Sequence, residues 1–554
     1  MTALGSYRPR GKRRVIYVSD PSSIARRYLP DPTGEDALRS WIDDVGDAGV
    51  DTFIQEAYTQ GWTTYWRSDR FEYDARPQHR RFLPLLDRGI QPLEILLEQC
   101  RQRGVEFLAG IRINDNHGHV SVQQGVGAGS SFVLDHPQWH LKQPHPGDYY
   151  KMTDAMDFSI QEVRDHVYSV IEELVNRFEV DGIELCFRDQ QYFPHDKGPQ
   201  CQPLMTELIQ RVRKLLKRVG RGRGKRLVLG ARVYQTLEEC RDQGLDVPEW
   251  IHSRLIDYVA PADTMYSDIN APYETFAQFG RASRCMVYPT ILPWSSIRME
   301  RRAARMPLTL DQQRALARNY FGSGADGVCF YNHFNTLDWA PFYPMQMSDF
   351  DAVRSPARAA QGRRHYVFEP IWGGCDGFGL DLACTGTIKA DRIVLRRGDA
   401  NASGRYRFRV CENLANERPA MLLFRAGHAT PNDRLAIRIN GTDVPSRAVR
   451  RRDDEMRVIM DPLVTATDRS VMAMNSGGIK AGSGDGDVMH EAELAKEGHP
   501  IIQPDIERAN MTYWFGLHSP PAVYGDNWLE VTLDASDPQA SGDIVIDEIE
   551  VFVV

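Results

Sequence analysis

The chain has 554 residues, 42% of them apolar, and its 75 acidic and 67 basic residues give a net charge of −8. Because single hydrophobic cores stop growing at about 250 to 300 residues, this length predicts at least two domains. The negative charge argues against nucleic acid as a partner, and no apolar run is long enough to predict a membrane span.

The N-terminus and the cysteines give no sign of export or of a metal. The basic run from Arg8 to Arg14 is followed by polar sequence and not by the apolar core of a signal peptide. The nine cysteines are scattered and lack a Cys-x-x-Cys pair, which predicts neither a zinc site nor a disulfide framework. We therefore expect a cytoplasmic protein without cofactors, or a periplasmic or secreted protein if a leader has been removed.

Eight short apolar segments alternate with amphipathic helical patterns over residues 1–350. The predicted strands are 15–18, 52–56, 106–113, 182–187, 227–233, 255–260, 285–292 and 327–331. Strands that alternate with helices predict parallel pairing, so the choice lies between a (β/α)8 barrel and an open, doubly wound sheet. The absence of a Gly-x-Gly-x-x-Gly motif after the first strand favours the barrel.

The clearest helix signal follows the Asp157-Phe158-Ser159 segment. Ser159 and Glu162 have the spacing of a capping box, which predicts that a helix begins there. Apolar residues then recur at helical spacing on one face, at positions 163, 167, 170, 171, 174 and 178.

Short strands with polar turns replace this alternation in the last 200 residues. The predicted strands are 389–397, 404–411, 434–439, 528–533 and 544–553, and Asn440-Gly441 predicts a hairpin turn. Residues 351–554 are therefore predicted to form an antiparallel β-sandwich. A long polar loop is expected within it at 475–497.

Polar residues follow most of the eight barrel strands, at the end of the barrel where active sites are built. The candidate catalytic carboxylates are Glu184, Asp115, Asp189 and Asp263. The candidate substrate-binding residues are Glu56, Arg112, Asn114, His117, Arg188, Arg232, Asp268, Trp294, Tyr331 and Asn332. Carboxylates combined with aromatic rings are typical of a sugar site, because pyranose faces stack on rings while hydroxyl groups form hydrogen bonds.

Cleavage of a glycosidic bond needs two carboxyl groups about 5 to 10 Å apart, one as the acid and one as the nucleophile or base. We rank Glu184 first and Asp115 second as the reacting carboxylates. The acid needs apolar surroundings and the base needs donors such as Arg112 nearby, and the sequence leaves open which carboxylate has which environment. Each of them could instead pair with an arginine or cap a helix.

The fourth strand carries a resemblance to a known family. A helix after Asp157-Phe158-Ser159 leads into Val180-Asp181-Gly182-Ile183-Glu184, which resembles bacterial barrel proteins of the glycoside hydrolase-like family ten. The hairpin at 435–441 resembles their accessory domain. The strand is also similar to the chitinase-type motif, but Cys186 and Arg188 replace its middle aspartate and its catalytic glutamate. The resemblance therefore implies the barrel and the reaction class, and it implies no residue roles.

We predict a glycoside hydrolase or transglycosylase whose partner is a carbohydrate substrate. One alternative is a sugar epimerase, isomerase or lyase with a metal ion held by Glu56, Asp115, His117 and Glu184. A second alternative is a barrel that binds glycan without cleaving it. The sugar, the stereochemical outcome, the role of the sandwich and the formation of a homo-oligomer are left open by the sequence.

Overall fold

The computed structural model describes a large part of the chain, and all statements on structure refer to that part. The described residues are 15–115, 129–141, 155–187, 191–194, 196–262, 267–292, 308–331, 333, 347–368, 371–372, 388–389, 392–414, 419–454, 510–518 and 522–554. Among these residues, no helix has both the length and the apolar character needed to cross a membrane.

The first part of the chain forms a parallel sheet of short strands. They are β1 (Val15–Ser19), β2 (Thr52–Tyr58), β3 (Glu106–Arg112), β4 (Gly182–Cys186), β5 (Val228–Tyr234), β6 (Tyr258–Ala262), β7 (Met286–Val287), β8 (Thr290–Ile291) and β9 (Val328–Tyr331). Their order is β7-β6-β5-β4-β3-β2-β1-β9-β8. The segments β7 and β8 follow each other along the chain, and they pair with β6 and β9 respectively, so the sheet curls round on itself. The predicted (β/α)8 architecture is confirmed.

Helices connect these strands and cover the outer face of the sheet. They are α1 (Pro21–Arg27), α2 (Glu35–Asp47), α3 (Leu83–Asp87), α4 (Pro92–Arg103), α5 (Ser131–Leu134), α6 (Gln161–Arg177), α7 (Gly198–Gly222), α8 (Leu237–Asp242), α9 (Val247–His252), α10 (Glu274–Ser283), α11 (Leu310–Gly322), α12 (Ser348–Val353) and α13 (Pro356–Ala359). Alternate strand residues such as Tyr17 and Phe53 belong to the hydrophobic core that lies between the sheet and the helices. Their neighbours Ile16 and Ile54 belong to a separate cluster, which fills the barrel interior.

Helix α6 begins differently from the prediction. Its apolar stripe is confirmed, since Val163, Val167 and Val170 are buried. The capping box is wrong: the N-cap is Ile160, and no side chain caps the helix. The backbone N–H of Ser159 instead donates to Asp157 Oδ1 at 2.7 Å, which forms a tight turn before the helix.

The C-terminal part is antiparallel, as predicted. Its strands are β10 (Arg364–Phe368), β11 (Ile371–Trp372), β12 (Ile388–Lys389), β13 (Ile393–Leu395), β14 (Ser403–Val410), β15 (Ala420–Gly427), β16 (Arg434–Ile439), β17 (Thr442–Asp443), β18 (Arg450–Asp454), β19 (Asn510–Gly516), β20 (Gly525–Ala535) and β21 (Ile544–Val553). One sheet has the order β10-β21-β15-β19-β18 with β13 on β21, another has the order β14-β20-β16-β17, and β11 pairs with β12. The rings of Phe368 and Phe408 meet between the two larger sheets at 5.8 Å. The predicted loop at 475–497 lies outside the described residues.

Polar contacts join the sandwich to the barrel helices α10 and α11. Arg409 on β14 binds Glu274 of α10, with one nitrogen at 2.8 Å from the carboxylate. Asn319 of α11 donates to the carbonyl of Arg409 at 2.7 Å and to the carbonyl of Ile269 at 3.0 Å. Because Asn319 is buried and binds both parts of the chain, these contacts hold the sandwich against one side of the barrel.

Candidate functional site

Three carboxylates from successive strands converge on one arginine at the carboxyl ends of the barrel strands. Asp20 follows β1, Glu56 lies in β2, Arg112 ends β3, and Asp115 comes three residues later. The Arg112 guanidinium lies 2.7 Å from Asp115 Oδ2, 3.8 Å from Glu56 Oε2 and 3.9 Å from Asp20 Oδ2. We call Asp20, Glu56, Asp115 and Arg112 the strand-end acid cluster.

The strand-end acid cluster is largely shielded from water and is rich in negative charge. The side chains of Glu56 and Asp115 are 1% and 3% exposed, and that of Asp20 is 12% exposed. Burial alone would lower the pKa of Arg112, but Asp115, Tyr331, Glu56 and Asp20 together raise it well above its usual value. The arginine therefore stays positively charged and favours the ionised form of the carboxylate that it contacts most closely.

Asp20 is fixed by the first residues of helix α1, which are in turn bound to a buried polar network. Its Oδ1 accepts the backbone N–H groups of Ser22 at 2.8 Å and Ser23 at 3.4 Å, as an N-cap does. The hydroxyl of Ser22 accepts a hydrogen bond from Arg76 at 2.7 Å and lies 2.9 Å from His79 Nε2. This arrangement leaves Asp20 Oδ2 on the side of Arg112.

Asp74 completes this network, and its side chain is fully buried. One nitrogen of Arg76 lies 2.6 Å from Asp74 Oδ2, and Nε lies 2.9 Å from Oδ1. Burial alone would raise the pKa of Asp74, but Arg76 and His79 hold it below its usual value. The network is a buried, charged support for Asp20, and it was not predicted from the sequence.

Asn114 and Gly61 fix the loop that carries Asp115. The Asn114 amide donates to the carbonyls of Met156 at 3.0 Å and Gln191 at 2.7 Å, and its oxygen accepts the N–H of Met156 at 2.9 Å. The N–H of Gly61 donates to the carbonyl of Asp115 at 2.7 Å. Asn114, predicted to bind substrate, is thus engaged in holding the end of β3.

Glu184 lies deeper in the barrel, in the middle of β4, where it is paired in register with Gly110 and Gly230. Its Oε1 accepts two hydrogen bonds from Arg232, at 2.7 and 3.1 Å, and its Oε2 accepts one from the hydroxyl of Tyr258 at 2.8 Å. Burial alone would lower the pKa of Arg232, but Glu184 is the largest of several influences that raise it well above its usual value. We call Glu184, Arg232 and Tyr258 the interior ion pair network.

Gly230 leaves the space that the interior ion pair network needs. A Cβ atom on Gly230 would lie 2.0 Å from Tyr258 Cζ and 2.3 Å from its hydroxyl oxygen. We expect Gly230→Ala to displace the tyrosine and to lower the free energy of unfolding by about 1 to 3 kcal/mol, as overpacking does. Urea unfolding followed by circular dichroism measures this change.

Gly222→Ala is the matched control for that experiment, because a Cβ there meets nothing within 4 Å. We expect its unfolding free energy to stay within about 1 kcal/mol of the parent value. Equal stabilities of the two alanine variants would contradict a packing role for Gly230.

An aromatic group lies beside the strand-end acid cluster. Trp62 stacks on Phe132 at 5.6 Å, Phe132 stacks on His166 at 3.8 Å, and His136 stacks on Trp139 at 3.9 Å. The N–H of Ser130, next to this group, donates to the carbonyl of Gly61 at 2.7 Å. Since Gly61 also binds the backbone of Asp115, the aromatic group is connected to the acid cluster.

The rings of this group differ in charge and exposure. Burial lowers the pKa of His166 to about 4, so this ring is neutral at pH 7. Trp62 is buried, whereas Phe132, His136 and Trp139 are half-buried and retain exposed ring surface. We call these half-buried rings the aromatic shelf.

The other predicted site residues fall into two groups. Tyr331 is buried below the strand ends with its ring 5.0 Å from the Arg232 guanidinium, and Asp268 accepts the N–H of Asn270 at 2.7 Å near the junction with the sandwich. Those outside the described residues are His117, Arg188, Asp189, Asp263, Trp294 and Asn332. Within the described residues, no group of three or more His, Cys, Asp or Glu residues is arranged to hold a metal ion.

Residues 18–212 match the family described as Glycosyl hydrolase-like 10, which confirms the resemblance inferred from the fourth strand. The chain is also similar to the PgaB (BpsB) glycoside hydrolase domain from Bordetella bronchiseptica, with 14% sequence identity and a TM-score of 0.40. That similarity covers 62% of this chain and 98% of the other. It is likewise similar to α-L-fucosidase isoenzyme 2 from Paenibacillus thiaminolyticus, with 11% sequence identity and a TM-score of 0.38. That similarity covers 64% of this chain and 51% of the other. A comparison with curated proteins finds no match.

Proposed function

With residues 18–212 matching the Glycosyl hydrolase-like 10 family, we propose that the protein is a glycoside hydrolase or transglycosylase acting on an oligosaccharide or glycoconjugate. The observation that carries the proposal is the convergence of Asp20, Glu56 and Asp115 on Arg112 at the strand ends. Cleavage of a glycosidic bond needs two carboxyl groups, and in barrels they stand at this end. The strand-end acid cluster supplies three.

Asp115 is assigned the role of the ionised carboxylate. Its contact with Arg112 at 2.7 Å is the shortest in the cluster, and a neighbouring positive charge favours the charged form of a carboxyl group. In this role Asp115 attacks the anomeric carbon, or takes a proton from the water that attacks it. Asp115 therefore ranks first among the reacting groups in this proposal.

Glu56 is assigned the role of the proton donor. Its nearest contact with the guanidinium is longer, at 3.8 Å, so Arg112 stabilises its negative charge less than that of Asp115, and its side chain is only 1% exposed to water. Such surroundings favour the protonated form of a carboxyl group. The proton of Glu56 passes to the glycosidic oxygen as the bond to the anomeric carbon breaks.

Asp20 and Glu184 are assigned positioning roles. Asp20 Oδ1 already accepts two backbone N–H groups, and its other oxygen helps to orient Arg112. Both oxygens of Glu184 accept hydrogen bonds from Arg232 and Tyr258 inside the barrel. This assignment departs from the ranking of Glu184 as the first catalytic candidate, and the two roles make different predictions.

The aromatic shelf is assigned the binding of a sugar ring. Stacking of a pyranose face on an aromatic ring removes apolar surface from water while the hydroxyl groups stay solvated. Trp139 and His136 are half-buried and stacked with an angle of 6° between their planes, which supports a flat binding surface. The shelf would hold a sugar unit next to the one that is cleaved.

A panel of aryl glycosides and oligosaccharides, assayed with and without EDTA, tests the proposed function. We expect release of the aglycone or of a new reducing end, and we expect EDTA to leave the rate unchanged because the reaction uses carboxyl groups alone. Conversion without cleavage that EDTA abolishes would favour the metal-dependent epimerase or isomerase. Saturable glycan binding with no turnover of any substrate would favour the non-catalytic barrel.

A further inference from the structure

The end of helix α7 carries a concentration of positive charge that the proposed reaction does not use. Residues 211–226 contain nine lysines and arginines and no acidic residue, in a chain whose net charge is −8. The segment leads directly into β5, which begins at Val228. It therefore lies at the amino end of a barrel strand, on the face opposite to the strand-end acid cluster.

The chain turns back on itself here and forms a cavity. Gly224 has a φ of +65°, and the N–H of Lys225 donates to the carbonyl of Gly220 at 3.0 Å, so the residues after the turn face the last turn of α7. The cavity has a volume of about 660 Å³. Its cationic lining residues are Arg213, Lys217, Arg221, Lys225 and Arg226. Leu216 and Leu227 provide an apolar surface.

Only part of this positive charge is compensated within the described residues. Asp257 binds Arg213 at 2.8 Å and also contacts Arg226, and Asp181 binds Lys225 at 2.8 Å. Five cations thus face two carboxylates, which gives this group of charges a net charge of +3. Within the described part of the chain, Lys217 and Arg221 have no acidic partner, and Arg221 Nε donates to the backbone carbonyl of Lys217 at 3.2 Å.

The other side of the same helix carries two cations that are paired with carboxylates. There, Arg211 binds Asp165 at 2.6 Å and Arg218 binds Glu172 at 2.8 Å, and both carboxylates belong to α6. Among the cations of this segment that do not line the cavity, Arg211 and Arg218 are therefore paired, whereas Lys214 and Arg223 have no acidic partner within the described residues. What distinguishes the cavity is that five cations surround one enclosed volume.

We propose that this cavity binds a phosphate group carried by a small ligand or by a lipid headgroup. Its volume lies within the range of about 300 to 1,000 Å³ that is typical of ligand pockets. Arginine matches the geometry of phosphate oxygens and lysine adds a point charge, while Leu216 and Leu227 contact the apolar body of the ligand. The site shares no residue with the strand-end acid cluster and is independent of the proposed reaction.

The test uses the full chain and a pair of double variants with the same loss of charge. Lys217→Gln/Arg221→Gln removes two lining cations, and Lys214→Gln/Arg218→Gln removes two cations of the same helix that do not line the cavity. Glucose 6-phosphate, with glucose as the blank, is titrated by calorimetry. Vesicles of phosphatidylcholine with and without phosphatidic acid are tested by co-sedimentation.

We expect saturable binding in at least one of the two arms, and at least a ~10-fold weaker Kd in the lining variant with less than a ~3-fold change in the control variant. Binding of glucose 6-phosphate identifies a soluble phosphate ester, and binding confined to phosphatidic acid vesicles identifies a headgroup. Equal weakening in both variants, or no binding in either arm by a parent chain with a normal melting curve, would overturn the proposal.

Discussion

Glu184→Gln is expected to lower the free energy of unfolding by about 3 to 5 kcal/mol, the effect of leaving a buried charge without its partner. Arg232 is fully buried, and two of its nitrogens donate to Glu184 Oε1. Glutamine retains the shape of the side chain but supplies no negative charge. Urea unfolding at pH 7 measures the change.

Two further variants make this experiment specific. Glu207→Gln removes a carboxylate from the exposed surface of α7 and is expected to change the unfolding free energy by about 0.5 kcal/mol or less. Glu184→Gln/Arg232→Met removes both charges and is expected to be more stable than Glu184→Gln alone, because no buried charge is left over. A single Glu184→Gln variant as stable as the parent would contradict the interior ion pair network.

Activity at a temperature where Glu184→Gln stays folded separates the two roles of this residue. A positioning role predicts a rate within about tenfold of the parent, whereas loss of an acid, base or nucleophile predicts at least ~100-fold. A loss of that size, together with an Asp115→Asn variant that stays active, would make Glu184 the first catalytic candidate again, as predicted from the sequence.

The barrel strands could be predicted because each is a short apolar run, but their details depended on local chemistry. The predicted seventh strand, 285–292, is divided into β7 and β8 at Tyr288-Pro289, since proline has no N–H to donate to a neighbouring strand. The sixth begins later than predicted, at Tyr258. The preceding Asp257 uses its carboxylate to accept the N–H of Leu229 at 2.9 Å.

The sandwich was harder to predict, because some of its strands lack the alternating pattern and one consists of charged residues. The missed strand β15 reads AMLLFRAG, a nearly continuous apolar run without period-two alternation. The missed strand β18 reads RRRDD and lies at the edge of its sheet, where charged residues are tolerated and oppose pairing with other chains. The others that were missed are β10, β19 and the two-residue strands β11 and β17.

The candidate site could be predicted in part. The ends of the strands can be recognised in the sequence, but the side chains that pair with one another cannot. Glu56, Arg112 and Asp115 were each predicted from their position near the end of a strand, and the structure brings them together. The pairing of Glu184 with Arg232 depends on strand register across 48 residues, which the sequence does not reveal. Asp20 was not among the predicted site residues, although Asp20-Pro21-Ser22 has the form of a helix N-cap.

Asp115→Asn is expected to lower kcat at least ~100-fold on any substrate that the panel identifies, the scale of a lost base or nucleophile. Asparagine keeps a hydrogen-bond acceptor 2.7 Å from Arg112, so the fold and the position of the arginine should be retained. The change therefore falls on kcat more than on KM. Initial rates over a range of substrate concentrations, together with a melting curve, measure both.

Asp135→Asn is the matched control, since it removes an exposed carboxylate near the aromatic shelf and is expected to leave kcat within about twofold. The smaller variant Asp115→Ala adds a readout that a structural role would not change. Azide or formate can occupy the space left by the carboxylate, so restored turnover or a glycosyl azide product would place the lost group at the anomeric carbon. A stable Asp115→Asn variant with parental kcat would remove Asp115 from the reaction, and the next pair to test would then be Glu56 and Asp20.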